Sequence, residues 1–335
     1  MLKKERKLYK SGENNRTAYK FHILSEKERR NVFIVLFLCF FAFVITCLEI
    51  FGVTNWHKVN LFTGAVDGIK IADTDFAVYY LDVGQSDCSI VVCDDKVMVI
   101  DTGSYPQTEK IREALYTLDV EQIDYLVITH QHDDHMSGAE KLMNIYDVEN
   151  IIMPMLSEDN AVNSETYSRL LRAISDNNVK PIASQSIEKF NLGNAEIKIL
   201  APNKQYKELN NMSVVMKITY GENSFLFQGD AETQVEKSLL YSDYDLTADV
   251  LKLGHHGSKT ASSEEYLDAV KPDIAVISCG QGNSYGHPRV TVMEYLVERN
   301  IDYYVTAYNG DITIGSDGEN IEIFAQYESI AELSH

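Results

Sequence analysis

The chain has 335 residues, a formal net charge of -20 and a hydrophobic content of 45%, with 24% of its residues charged. This composition excludes disordered and collagen-like proteins, and the length suits one large or two ordinary domains. The acidic excess also argues against non-specific binding of nucleic acid by the chain as a whole, because a phosphate backbone repels a negatively charged surface.

Positive charge is concentrated in the first 31 residues. They contain ten lysines and arginines against four acidic residues, a charge of +6, which leaves -26 on the other 304 residues. The next 22 residues, 32–53, are mostly apolar and carry no charge except at Glu49. They are long enough to cross a hydrocarbon core of about 30 Å as a helix. We therefore predict a cytoplasmic basic segment, 1–31, and a single transmembrane helix, 32–53.

The positive-inside rule places everything after this helix outside the cell membrane. A cleaved signal peptide and a buried core helix are the alternatives. The length of the apolar stretch and the absence of an A-x-A pattern after it disfavour a signal peptide, and the lack of polar punctuation disfavours a core helix. In residues 54–75 polar and apolar residues alternate with no regular period, and this segment is predicted to be a tether between the helix and the following domain.

Strand-like and helix-like stretches alternate from residue 76 to residue 325. Helices are predicted at 108–118, 137–146, 163–176, 231–241, 263–270 and 290–299. Strands are predicted at 76–83, 88–94, 97–101, 123–129, 195–200, 213–220, 224–228, 249–253, 273–278, 302–306 and 311–314. The alternation predicts one layered α/β domain over 76–325, followed by a tail at 326–335.

Cysteine usage does not indicate a disulfide scaffold. Only Cys88, Cys93 and Cys279 follow the apolar segment, and their spacing matches no disulfide framework. Burial as small apolar side chains is favoured over a bond between Cys88 and Cys93.

Three histidines and two acidic residues lie within six positions after one apolar strand. The strand runs into the sequence HQHDDH at 130–135. Imidazole and carboxylate together suit Zn²⁺, Mn²⁺ or Fe²⁺, and the absence of a nearby cysteine disfavours a closed structural zinc site. His130 and His132 suit one ion, and Asp134 and His135 suit a second.

Two further apolar strands end in possible metal ligands. The sequence FLFQGD brings Asp230 to the end of one strand, and VLKLGHH ends in His255 and His256. Six of the nine histidines lie in 130–135, in 255–256 and at position 287, where predicted strands end. This concentration favours a common site over separate surface positions.

The motifs resemble those of the metallo-β-lactamase superfamily and, within it, the exported hydrolase domain of ComEC-type competence proteins. The similarity runs in order through nearly all of 76–315. It rests on LDVGQ at 81–85, DTG at 101–103, THxHxDHxxG at 129–138, NNMS at 210–213, GDAE at 229–232, HHGS at 255–258 and NSYGHP at 283–288. The chain departs from the family pattern at Ser86, where family members usually have a second glycine.

The resemblance implies an αββα sandwich with two divalent ions, zinc or manganese, at one edge of its sheets. The implied ligands are His130, His132 and Asp230 for the first ion, and Asp134, His135, Asp230 and one of His255 and His256 for the second. We favour His256 as the ligand and His255 as a group that faces the substrate. Many relatives supply one more histidine to the first ion, but this chain has none between residues 136 and 254. The first position is therefore expected to be open or completed by a weaker ligand.

The resemblance also implies roles for residues around the ions. Asp82 and Asp101 are predicted to orient the metal-binding histidines. Two divalent ions lower the pKa of a bridging water towards about 7 and so supply hydroxide at neutral pH. Catalytic roles are predicted for Asp134, His255 and His287, and substrate contacts for Asn211, Ser258 and Asn283.

The predicted reaction is metal-dependent hydrolysis of a phosphodiester, because the branch of the family that the chain resembles is tied to nucleic-acid processing. Hydrolysis of a lactone, amide or thioester is one alternative, and a non-catalytic domain that binds metal or a protein partner is another. The intact ligand set argues against the non-catalytic reading. With one predicted span, the chain is not expected to form a DNA channel. The charge of -26 after the basic segment favours a small phosphoester over a long nucleic acid.

Overall fold

The structure is a computed structural model. Apart from short stretches before residue 41, the described residues are 69–157, 162 and 164–327. The chain divides into two units, Met1–Val66 and Asp67–His335. In the first unit, two short strands pair in antiparallel orientation, β1 (Lys4–Glu5) and β2 (Lys20–Phe21).

The predicted membrane anchor, 32–53, falls mainly outside the described residues. The same holds for most of the basic segment 1–31, of the tether 54–75 and of the tail 326–335. Residues 34–37 have helical backbone. Within the part of the chain that the structure describes, no helix combines the length and the apolar character needed to cross a membrane.

The second unit contains fifteen described strands. They are β3 (Phe76–Tyr80), β4 (Ser89–Cys93), β5 (Lys96–Ile100), β6 (Gln122–Val127), β7 (Asp147–Met153), β8 (Lys180–Ala183), β9 (Lys189–Leu192), β10 (Ala195–Ala201), β11 (Val215–Tyr220), β12 (Asn223–Phe227), β13 (Val250–Lys252), β14 (Ile274–Ile277), β15 (Asp302–Val305), β16 (Ile312–Ser316) and β17 (Ile321–Ala325). The sequence analysis did not predict β7, β8, β9 or β17. In β8 and β17 no residue is fully buried, so the apolar pattern is weak.

The described α-helices of this unit lie between groups of strands in chain order. They are α1 (Thr108–Thr117), α2 (Asp133–Met136), α3 (Ala139–Met143), α4 (Glu165–Asp176), α5 (Thr233–Leu240), α6 (Glu264–Val270), α7 (Val290–Glu298) and α8 (Thr306–Asn309). Six of them correspond to the six helices predicted from the sequence. The helix predicted at 137–146 is shorter, because Gly138 separates α2 from α3.

The strands form two sheets with the same internal plan. The eight-stranded sheet has the order β17-β16-β3-β4-β5-β6-β7-β8, and the seven-stranded sheet has the order β15-β14-β13-β12-β11-β10-β9. In each sheet a set of antiparallel pairs leads into three parallel pairs, β5 to β8 in one and β12 to β15 in the other. Parallel strands present their carboxyl ends at one edge, where ligands usually bind.

Three apolar clusters separate four layers. In β3, Phe76, Val78 and Tyr80 pack between the two sheets, while Ala77 and Tyr79 pack under the helices. Successive strand residues face opposite sides, so a strand buried on both faces reads as a continuous apolar run. Helices α1, α3 and α4 cover one sheet, and α5, α6 and α7 cover the other. The predicted αββα sandwich is confirmed.

Candidate metal centre

The loop after β6 is fixed to the loop after β5. His130 and His135, which belong to the loop after β6, are completely buried. The backbone carbonyl of His135 accepts hydrogen bonds from the N–H and the hydroxyl of Thr102, at 2.7 and 3.0 Å. A Cβ atom at Gly138 would collide with the carbonyl of Thr102, so the chain can approach this closely only with glycine there.

The imidazole rings of this loop face one another. Nε2 of His130 lies 2.9 Å from Nδ1 of His132. The ring centroids of His130 and His135 are 4.2 Å apart. The structure thus brings the three histidines of the motif together, with His132 partly exposed and the other two buried.

Asp230 lies at the centre of the cluster. Gly229, with a φ of 53°, turns the chain after β12 and delivers the aspartate to the edge of the sheets. The Oδ2 atom of Asp230 is 3.4 Å from Nε2 of His135, 3.8 Å from Nε2 of His256 and 3.9 Å from Nε2 of His130. One carboxylate therefore contacts imidazoles from the ends of both β6 and β13.

His255 and His256 adopt left-handed backbone conformations in succession, with φ of 48° and 57°. This is unfavourable for residues with a Cβ atom and is typical of functional sites. Nδ1 of His256 donates to the carbonyl of Ser278 at 3.0 Å, which leaves its buried Nε2 free, 3.6 Å from Oδ2 of Asp134. His255 is 24% exposed, with Nε2 at 3.8 Å from Oδ2 of Asp230.

A carboxylate and a hydroxyl group lie next to Nδ1 of His255. Its Nδ1 is 3.3 Å from Oε1 of Glu232 and 3.2 Å from Oγ1 of Thr260, and the threonine hydroxyl donates to the same carboxylate at 2.8 Å. Nδ2 of Asn210 lies 3.4 Å from Nε2 of the ring. A histidine with one nitrogen beside a carboxylate and the other near the reaction centre is arranged as a general acid or base.

Asp101 holds the ring of His135. Its Oδ2 is 2.8 Å from Nδ1 of His135, and the backbone and hydroxyl of Thr129 donate to its two oxygens at 2.8 and 2.7 Å. Burial, which outweighs the charge of His135, raises the pKa of Asp101. Asp101 thus contacts Nδ1 of His135 and leaves Nε2 on the opposite side of the ring; that it orients a metal ligand stays a prediction.

Replacing this support should weaken metal binding without removing a ligand. We expect Asp101→Asn to lower the affinity for one divalent ion by about 10- to 100-fold, because the orientation of a ligand histidine depends on its partner. Isothermal titration with Zn²⁺ or Mn²⁺ measures this change. Asp249→Asn is the control, since Asp249 accepts from Ser224 before β13, at the opposite end of the strand. Equal affinities in the two variants would contradict the assignment.

The charges of the cluster are set by burial and by mutual contact. Burial, together with nearby His135, holds the pKa of His130 well below its usual value, so this ring is neutral at physiological pH. Burial opposes charge on His135 and His256, but the nearby carboxylates together outweigh it and raise both pKa values. They are Asp230 and Asp101 for His135, and Asp230, Asp134 and Asp87 for His256. Despite its burial, Asp230 has a pKa well below the ordinary range, because these histidines stabilise its charge. The negative charge of the carboxylates therefore favours a positively charged group at the centre of the cluster.

Several buried side-chain atoms of the cluster have no hydrogen-bond partner among the described residues. They are Nε2 of His135, Nε2 of His256, Oδ1 of Asp230 and Oδ1 of Asp87. Buried polar atoms are nearly always partnered, so such atoms point to a missing ligand. Two groups bring ligand atoms within 4.8 Å of one another, His130 with His135 and Asp230, and Asp134 with His135 and His256. Imidazole and carboxylate groups in this arrangement fit divalent metal ions.

Two residues predicted to contact the substrate lie next to the groups that surround Nδ1 of His255. Asn211 is buried, and its Oδ1 accepts from the backbone of Glu232 at 3.0 Å. Ser258 is also buried, with its hydroxyl 3.1 Å from Oγ1 of Thr260. The structure therefore places both side chains against the residues that support this histidine.

The loop of the NSYGHP motif is shaped by Asn283. Its Nδ2 donates to the carbonyls of Gly280 and His287 at 2.9 and 2.6 Å, and its Oδ1 accepts from the N–H of His287 at 3.0 Å. The ring of His287 consequently lies 5.7 Å from that of His255 and 6.3 Å from that of His256, measured between centroids. Burial and these two histidines lower the pKa of His287 to about 4.

The loop after β3 brings a different aspartate from the predicted one to the histidines. Asp82 accepts from the N–H of Gly84 at 3.2 Å, and its own N–H donates to Asp311 at 2.7 Å. Asp87 is the residue of this loop that lies near the ligands, and Lys252 is its ion partner at 2.9 Å. The sequence signal for Lys252 is a charged residue inside an otherwise apolar strand.

Glu232 and Asn210 are also absent from the predicted site residues. Both belong to the motifs on which the family resemblance rests, but nothing in the spacing of the sequence connects either with His255. Their assignment depends on the folded arrangement of the loops.

Comparison with known proteins agrees with this geometry. The sequence profile of the metallo-beta-lactamase superfamily matches residues 81–281, more than half of the chain. ComE operon protein 3 of Bacillus subtilis is 28% identical over 251 residues, covering 69% of this chain and 32% of that protein. Recombination protein 2 of Haemophilus influenzae is 29% identical over 305 residues, covering 90% and 34%. Competence protein ComA of Neisseria gonorrhoeae is 28% identical over 254 residues, covering 73% and 33%.

The chain spans about a third of the length of these curated relatives. The matched region extends from the end of β3 to the loop after β14 and contains every residue of the His and Asp cluster. The predicted resemblance to ComEC-type competence proteins is confirmed. On the profile match, the strand-end ligands and the four-layer sandwich, this chain belongs to the metallo-beta-lactamase superfamily.

Proposed function

We propose that this chain is a metal-dependent phosphoester hydrolase, anchored in the cell membrane by residues 32–53, with its active domain outside the cell. The main support is the position of the Asp230 carboxylate, whose Oδ2 lies 3.4 to 3.9 Å from four imidazole nitrogens. Nearby buried atoms also have no hydrogen-bond partner among the described residues. The competence relatives support a phosphodiester as the scissile group. The basic and apolar sequences at the start of the chain support the anchor.

The residues proposed to hold two divalent ions, zinc or manganese, divide into two sets. They are His130, His132 and Asp230 for one ion, and Asp134, His135, Asp230 and His256 for the other. When bound, such ions polarise a phosphoryl oxygen and lower the pKa of water. The low pKa of His130 keeps a ring nitrogen available as a ligand at physiological pH.

Protein groups then orient the reactants and move protons. Asp134 is partly exposed, and its carboxylate orients an attacking water molecule and accepts its hydrogen bond. His255 donates a proton to the leaving oxygen from Nε2, while Glu232 stabilises the charged ring through Nδ1. His287 has a pKa of about 4 and is neutral at physiological pH, so it contributes a hydrogen bond to the substrate.

The charge of the chain bears on the choice of phosphoester. The 304 residues after the basic segment carry -26, which repels a long polyanion outside the centre itself. We therefore propose a small phosphodiester or nucleotide as the preferred substrate. Single-stranded DNA is the competing substrate that the competence relatives suggest.

An assay panel tests this function. Full-length protein in detergent is given bis-p-nitrophenyl phosphate, single-stranded DNA and a lactone, with and without EDTA. We expect hydrolysis of the first compound, its loss in EDTA and its recovery with Zn²⁺ or Mn²⁺. His132→Ala is the matched inactive variant. Lactone hydrolysis alone, or phosphodiesterase activity that EDTA and His132→Ala leave unchanged, would overturn the proposal.

Two neighbouring histidines should respond differently to the same substitution. We expect His256→Ala to lose one bound ion, because its free Nε2 faces Asp134. We expect His255→Ala to keep both ions and to lose about 10²- to 10⁴-fold in kcat, the usual worth of a general acid. Metal content by mass spectrometry and steady-state kinetics give the two readouts. Loss of one bound ion in His255→Ala, with both ions kept in His256→Ala, would show that His255 is the ligand.

A further inference from the structure

A buried ion pair joins two distant parts of the chain at the metal centre. Nζ of Lys252, the last residue of β13, lies 2.9 Å from Oδ2 of Asp87, and the two side chains are only 3% and 7% exposed. Removing two charges from water costs several kcal/mol per ion, and a well-packed apolar pair is often as stable or more so. Stability alone therefore does not explain a lysine in this apolar strand.

The backbone of Asp87 is tied to the loops that carry the metal ligands. Its carbonyl accepts from the N–H of Gly103 at 2.9 Å, and its N–H donates to the carbonyl of Asp134 at 3.4 Å. A side-chain oxygen of Asp87 lies within 4.8 Å of ligand atoms of Asp230 and His256. Asp87 thus occupies the same cluster as the proposed ligands.

One oxygen of this carboxylate is free. Lys252 binds Oδ2 and makes its other hydrogen bond with the carbonyl of Leu253 at 3.3 Å. Oδ1 of Asp87 is buried and has no hydrogen-bond partner among the described residues. A carboxylate oxygen is a common ligand of divalent cations, and the ammonium group offsets the charge that Asp87 adds to an already acidic cluster.

We propose that Asp87 supplies a further oxygen to the cation position of Asp134, His135 and His256, and that Lys252 holds the carboxylate there and balances its charge. This inference rests on the proposed function only in requiring a divalent ion at that position.

Ion titration and thermal unfolding test the proposal in the full-length protein. The variants are Asp87→Asn, Lys252→Met and the combination of both. We expect Asp87→Asn to weaken the binding of one of two Mn²⁺ or Zn²⁺ ions by about 10- to 100-fold, a loss of the size seen when metal sites lose a supporting group. We expect Lys252→Met to lower the melting temperature in EDTA, because it leaves a buried charge unpaired.

The double variant separates a role in ion binding from a structural role. It removes both charges, so we expect it to recover the melting temperature but not the ion affinity. Its ion affinity decides the proposal even if the single variants unfold. Recovery of both properties, or wild-type affinity in Asp87→Asn, would show a purely structural pair and overturn the proposal.

A buried carboxylate in the eight-stranded sheet, near the start of β6 and away from the histidine motif that follows this strand, provides the control. Asp124 pairs with Lys96 at 2.9 Å near the start of β6, and Asp124→Asn should leave both ion affinities unchanged. The proposal on Asp87 and the proposed function fail in different ways. Two bound ions without phosphoester hydrolysis overturn only the function, whereas unchanged ion affinity in Asp87→Asn overturns only the role of Asp87.

Discussion

Asp230→Asn should abolish catalysis and weaken the binding of both ions. The substitution keeps the shape of the side chain but removes the negative charge that lies 3.4 to 3.9 Å from four imidazole nitrogens. The metal contribution to catalysis is worth several kcal/mol, so we expect kcat/KM to fall by about 10³-fold or more. Steady-state hydrolysis of bis-p-nitrophenyl phosphate and metal analysis of the purified variant measure the two effects.

The substitution Asp230→Asn keeps the backbone contact that holds this residue in the fold, so we expect the variant to lose activity while it stays folded. Its N–H donates to the hydroxyl of Ser213 at 3.0 Å, and the substitution leaves that bond intact. Asp133→Asn is the matched control, because Asp133 belongs to the same histidine motif but is exposed. Activity of Asp230→Asn close to that of the control would remove Asp230 from the centre.

Phe225→Ala should cause a large loss of stability. The ring of Phe225 is completely buried between the two sheets, with its centroid 5.0 Å from that of Phe76 in the opposite sheet. Truncation of a buried phenylalanine costs about 3–5 kcal/mol, because transfer energy is lost and a cavity remains. For a domain of this size, the melting temperature should fall by about 10 °C.

Circular dichroism melts of the two proteins measure the shift. Tyr241→Ala is the control, since Tyr241 is 91% exposed and its loss should leave the melting temperature nearly unchanged. A small shift for Phe225→Ala would mean that the space between the sheets collapses around the missing ring.

The parts of the fold that the sequence predicts are those with local signals. The strand β3 is a continuous apolar run because both of its faces are buried. The strands β6 and β12 end in the apolar runs YLV and FLF, and the histidine motif follows soon after β6. The strands β8 and β17 lie at sheet edges, where partial exposure removes the apolar pattern. Partial exposure therefore hides these two edge strands, whereas the inner strand β7 was not predicted because Asp147, Glu149 and Asn150 interrupt its apolar residues.

The least predictable parts of the site are the contacts between distant residues. Lys252 and Asp87 are 165 positions apart, so only the packing of the two sheets reveals their pairing. Glu232 reaches His255 for the same reason, through the meeting of the loops after β12 and β13. The resemblance to a family identifies which motifs take part in a site, whereas the hydrogen bonds within the site follow from the folded arrangement of its loops.

The origin of the ligands in both sheets has a consequence for the kinetics of unfolding. The ligands extend from His130 to His256, so neither sheet on its own can assemble the set. Ions that bind only after both sheets have formed and packed stabilise the native state without stabilising an earlier transition state. Bound metal should therefore slow unfolding while leaving the rate of folding almost unchanged, and a chelator should shorten the lifetime of the folded domain.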